Sequence, residues 1–150
     1  MIRSLLIGCI GAFGGTVGFG FMLNAPRRVV LPSSLTAVLG YLLYDLLFRF
    51  AGQSLIFSYF FATVVISVIC EIAARVMRMP STIFLLSALV PLVPGYSFYC
   101  AMLALVENDG AAAASHGLMA VQIVAAIAVG AAVTSVAFRS VSGYLRRARG

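Results

Sequence analysis

Residues 79–106 read MPSTIFLLSALVPLVPGYSFYCAMLALV, 28 positions without a single charge. A bilayer's hydrocarbon core is about 30 Å thick, and about 20 apolar residues cross it as helix. An unbroken helix over the whole run would measure about 42 Å. The run carries its own interruption, Pro91-Leu92-Val93-Pro94-Gly95. Each proline lacks an N–H and sets its ring against the preceding turn. Gly95 admits backbone conformations closed to other residues. The stretch is expected to be a membrane-spanning helix broken between Pro91 and Gly95.

The rest of the chain repeats the pattern. Uncharged runs of 23, 16, 21 and 29 residues occupy positions 4–26, 29–44, 50–70 and 110–138. The shortest reaches span length once Asp45 through Phe48 are included. Five spans are predicted, at about 4–23, 32–48, 54–74, 82–106 and 118–138. The chain of 150 residues is 63% hydrophobic and 9% charged, with a mean hydropathy of +1.11. Soluble domains run at about 45–50% apolar and about 25% charged. A soluble globular domain would leave apolar surface uncovered, and disorder needs low hydrophobicity. Residues 1–150 therefore read as one all-α polytopic membrane domain, in contact with the lipid bilayer along its length.

The net charge of +6 comes from ten arginines against four acids, with no lysine. These arginines sit at span ends rather than on a continuous basic face, which excludes nucleic acid as a partner. With five spans, Arg3 and Arg49 fall on one side. Arg27, Arg28, Arg75, Arg78, Arg139, Arg146, Arg147 and Arg149 fall on the other. The positive-inside rule then places the amino terminus outside and the carboxyl terminus in the cytoplasm.

Small residues recur at helical spacing. Gly8, Gly11, Gly15 and Gly18 share one face of the first span, and Gly11–Gly15 and Gly14–Gly18 are both G-x-x-x-G pairs. Such faces allow helices to approach closely in lipid. Packing within the bundle is the expected use, ahead of a dimer seam. Ala126, Ala128, Gly130 and Ala132 form similar pairs in the last span.

The chemistry points to transport. Irregular backbone at membrane depth persists only where protein or a water-filled cavity satisfies it. In transporters, half-helix amino termini at such breaks aim N–H groups at anionic substrate groups. The second half-helix here would begin near Tyr96, Ser97 and Tyr99, whose hydroxyls add neutral donors. Pro91, Pro94, Gly95, Tyr96, Ser97 and Tyr99 are the candidate residues of a path for a small anionic or zwitterionic substrate. The alternative is a proline kink without a ligand. Asp45 and Glu71 are secondary candidates, since intramembrane acids often couple ions. Each also has an arginine four residues on, Arg49 or Arg75, so interfacial ion pairing is the plainer reading. Asn24 either caps a helix or lines a site.

Enzyme signatures are missing. His116 is the chain's single histidine and is read as lying alone in an outside loop. Cys9, Cys70 and Cys100 form no C-x-x-C pair and read as small packing residues. No metal site or cofactor is expected.

Two segments carry a family resemblance. Gly18-Phe19-Gly20-Phe21-Met22-Leu23-Asn24-Ala25-Pro26-Arg27 resembles the end of the first span in the threonine/serine exporter family. So does Met79-Pro80 followed by residues 88–99, with their Pro-x-x-Pro-Gly element and downstream Tyr. The likeness covers about 15–145. It resembles the small subunit of the family's split form, in a bacterial inner membrane. This implies export of threonine, serine or, for some split pairs, a dicarboxylate such as succinate. It also implies a larger partner subunit with its own membrane helices. Two rivals remain at this point: a structural or regulatory membrane subunit, and a small homo-oligomeric channel.

Overall fold

The computed structural model describes residues 2–49, 52 and 54–147; Arg149 lies outside them. Among the described residues all regular structure is helical. The helices are α1 (Ile2–Met22), α2 (Arg27–Arg49), α3 (Leu55–Met77), α4 (Ser81–Ala88), α5 (Gly95–Val106) and α6 (Gly110–Arg147), with one 3-10 turn, Val90–Leu92, between α4 and α5. α1, α2, α3 and α6 are long and apolar enough to cross a membrane.

Local chemistry explains most of the boundaries. α1 ends at Asn24, which takes a left-handed φ of 53° while Ala25 N–H bonds the Gly20 carbonyl. Asparagine tolerates that conformation at a helix end. Ser54 caps α3, accepting the Phe57 N–H, and Arg78 closes it with φ 53°. Asp109 accepts the Ala112 N–H at 2.9 Å and so caps α6, which makes the alanine tract 111–114 part of that helix.

α2 begins at Arg27, ahead of the start expected at Pro32, and runs through that proline. Only one turn precedes Pro32, so the missing N–H costs a single bond to a first-turn carbonyl. Ser34 and Thr36 donate to the Val30 and Pro32 carbonyls.

Packing sets the helix directions. A Cβ at Gly8 would strike Tyr41, and one at Gly20 would meet Val30, so α1 and α2 are antiparallel. Gly40 lies against Ile66 and Tyr44 against Tyr59, so α2 and α3 are antiparallel too. Gly130 abuts Phe60 and Thr63, and Arg75 lies 4.5 Å from the Phe138 ring centre. α3 and α6 therefore run parallel. The segment between them must return across the bundle, and it does so in two pieces, α4 and α5. The chain thus makes five passes, the fourth broken as expected.

The core lies where α2, α3 and α4 meet. Val29, Ala62, Ile66, Cys70, Ala74, Phe84, Ala88 and Leu92 form it. Three of the eight are alanines, which let the helix backbones approach closely in lipid. The expectation for α1 needs revision: Gly8 and Gly20 pack inside the chain, but a Cβ at Gly11, Gly14, Gly15 or Gly18 would meet nothing within 4 Å. That face is open.

These environments predict opposite outcomes for similar substitutions. At Gly130 a new Cβ would lie 3.1 Å from the Phe60 carbonyl oxygen, and backbone cannot move aside as a side-chain tip can. Gly130→Leu should destabilise the isolated chain by about 1–3 kcal/mol or more, read as lost thermal stability in detergent. Gly11→Leu should leave that stability unchanged. Equal melting of both variants would contradict the assigned α3–α6 packing.

Candidate functional site: a cleft above the broken helix

The break contains its own unsatisfied groups. After α4 the Leu92 and Val93 N–H groups bond the Leu89 and Val90 carbonyls, and Gly95 N–H reaches back to Val93. The Pro94 carbonyl accepts the first bond of α5, from Phe98 N–H, at 3.1 Å. Among the described residues the Tyr96 and Ser97 N–H groups have no backbone acceptor. They are the orphan donors of a helix start, and the helix dipole adds partial positive charge there.

Tyr96 and Ser97 line a cleft. It has a volume of about 400 Å³, and its floor is Pro91, Val93, Pro94, Gly95, Tyr96 and Ser97. One wall comes from the end of α2 and start of α3: Tyr44, Leu55 and Tyr59. The opposite wall comes from the first turns of α6: His116, Met119 and Ile123. The cleft thus lies in the half of the bundle where α3 and α6 begin, and it ends at the break. A small amino acid or dicarboxylate fits that volume. A second, apolar hollow of about 280 Å³, between Phe19, Leu86, Leu89, Val124 and Ile127, lacks the donors a charged solute needs.

Five of the six candidate path residues meet here. Tyr99 does not line the cleft and is exposed on α5. Gly95 needs a different explanation from the expected one. It has no positive φ, and a Cβ there would meet nothing within 4 Å. It lines the cleft floor and brings no side chain into it.

The secondary candidates lie elsewhere. Asn24 is the α1 end described above. Asp45 is buried and accepts from Arg49 Nε at 2.6 Å; its second oxygen has no partner among the described residues. It lies in a hollow with Leu5, Leu42, Leu43 and Leu46, away from the cleft. Glu71 and Arg75 are 3.6 Å apart, near the opposite end of the bundle. Buried hydroxyls of Ser33, Thr63, Ser67 and Ser87 are also without partners among the described residues.

Sequence reasoning missed His116. It was expected alone in a loop; instead it lies in α6 and faces the cleft. The available signal was the Asp109 cap, which starts the helix early. His116, Met119 and Ile123 then fall at i, i+3 and i+7, on one helical face. Tyr44 and Tyr59, with ring centres 4.5 Å apart, were likewise unassigned.

Comparison with known proteins bears on the function. No solved structure matches the chain. A Haemophilus influenzae protein, described only as uncharacterized, is 30% identical over 92 residues. That match covers 61% of this chain and 30% of the relative, so the chain spans well under half of the protein it resembles. The family model described as threonine/serine exporter, ThrE, matches residues 8–137. The chain, an all-helical membrane protein, belongs to the threonine/serine exporter family.

Proposed function

We propose that this chain is one half of a secondary exporter that moves a small carboxylate-bearing solute out of a bacterial cell through the inner membrane. The solute is a small amino acid such as threonine or serine, or a dicarboxylate such as succinate. The observation that carries this reading is the cleft ending on the orphan Tyr96 and Ser97 N–H groups. Directed donors at a helix start suit a carboxylate, and a break at membrane depth suits a substrate site. A larger membrane subunit completes the path. The arginine distribution supports an outside amino terminus and cytoplasmic carboxyl terminus, so the cleft opens outward.

Cysteine accessibility tests both parts. With Cys9, Cys70 and Cys100 replaced, Tyr96→Cys and Glu107→Cys should each react with an impermeant thiol reagent added outside the cell. Modification at 96 should block threonine efflux, and excess substrate should slow it; modification at 107 should do neither. Labelling of both positions only in inverted vesicles would reverse the orientation. Undiminished efflux after complete modification at 96 would remove the cleft from the path.

A further inference from the structure

Among its described lining residues the cleft holds one imidazole, that of His116. Its polar lining consists of Tyr44, Tyr59 and Tyr96, Ser97 and His116. Phenols ordinarily ionise near pH 10, whereas imidazole changes charge between about pH 5 and 8. No aspartate, glutamate or arginine lines the space among the described residues. The charged groups of the packed elements lie elsewhere. On α2, Asp45 follows Tyr44 but is paired with Arg49. On α3, Glu71 and Arg75 pair near the far end of the bundle. α5 carries no charge. Before α6, Asp109 is occupied in capping, and Glu107 is exposed in the turn. Protonation of His116 therefore takes the lining from formally neutral to singly positive.

We infer that His116 is a carboxylate-anchoring residue whose protonation sets how tightly the cleft holds its substrate. The inference rests on the proposed role of the cleft and deepens it. The geometry supplies two donors of different kinds to one bound anion. The orphan N–H groups on the floor are fixed and independent of pH. The imidazole on the facing wall donates with a full charge only when protonated, and a charged hydrogen bond is the stronger kind. Linkage makes the effect reciprocal: a carboxylate that favours the imidazolium raises proton uptake, and the proton raises carboxylate affinity by the same factor. Acid in the compartment the cleft faces then slows substrate release.

The direction follows from the charge. Only the imidazolium adds a charged hydrogen bond to the fixed N–H donors, so affinity should be higher at about pH 5.5 than at about pH 7.5, by about fivefold. Threonine is the suitable probe, because its own two charges persist across that interval. Succinate gains a proton near the acid end and would confuse the result.

The test is threonine binding by isothermal titration to the purified exporter, this chain together with its partner subunit. Wild type should bind about fivefold more weakly at about pH 7.5 than at about pH 5.5, and binding should be accompanied by proton uptake measured across buffers of different ionisation enthalpy. His116→Gln should bind equally at both pH values, near the wild-type upper-pH affinity, without proton uptake. His116→Arg should bind tightly at both, which a merely structural role would not produce. Wild-type affinity that is flat with pH, or a His116→Gln protein that keeps the pH dependence, would overturn the role of His116. If binding is flat while threonine still protects Tyr96→Cys, the cleft reading stands and only this inference fails. Absence of threonine binding at either pH in wild type would remove both.

Discussion

Gly95→Leu should reduce export to background while the protein stays folded in the membrane. A Cβ at this position on the cleft floor meets nothing within 4 Å, so the added side chain enters the cleft without displacing backbone. It would instead lie over the N–H groups of Tyr96 and Ser97 and exclude a carboxylate from them. Hydrogen bonds to a charged group contribute about 1.5–3 kcal/mol each. Losing two corresponds to at least about a hundredfold in affinity. Gly95→Ala adds one methyl in open space and should cost less than about threefold, since its helix propensity also improves. Threonine efflux from preloaded cells, normalised to membrane protein, separates the two. Full transport by Gly95→Leu would mean that the break is only a kink.

Expression of the chain without the proposed larger subunit should give no export of threonine, serine or succinate. Three observations support this. The cleft offers donors, but among its described lining residues no carboxylate receives the ammonium group of an amino acid. Gly11, Gly14, Gly15 and Gly18 present an open small-residue face, the kind that accepts another helix in lipid. The relative from Haemophilus influenzae extends far beyond the matched part. Co-expression with the larger subunit should restore efflux to at least about tenfold above background, and the two should co-purify in mild detergent. Gly11→Leu, silent in the isolated chain, should weaken that co-purification. Substrate efflux from liposomes holding only this chain would favour the homo-oligomeric channel instead.

The passes were legible because charge is so sparse: arginines and acids mark span ends, and the gaps match bilayer thickness. The break was legible because two prolines three residues apart remove two N–H groups from one helix. Other features depend on context that pattern does not carry. Pro32 looks like a helix start because proline favours that position; whether one more turn precedes it depends on packing of Val29 and Val30. Gly11 and Gly8 are indistinguishable in sequence, yet one faces open space and the other Tyr41. His116 follows an alanine tract compatible with helix or linker, and only the Asp109 cap decides between them. Its position opposite the break comes from α6 running parallel to α3, which no local pattern states.

The ion pairs Asp45–Arg49 and Glu71–Arg75 each lie within a single helix. This bears on how the protein is made. An isolated arginine or aspartate at the centre of an inserting helix costs about 2.5–3.5 kcal/mol, and nearer the helix ends, where these pairs lie, the cost is smaller but of the same sign. A partner one turn away on the same helix is present from the moment that helix forms, before any neighbour has been synthesised. α2 and α3 can therefore enter the bilayer from the translocon already neutralised, in the order they are translated, without waiting for the bundle to assemble around them.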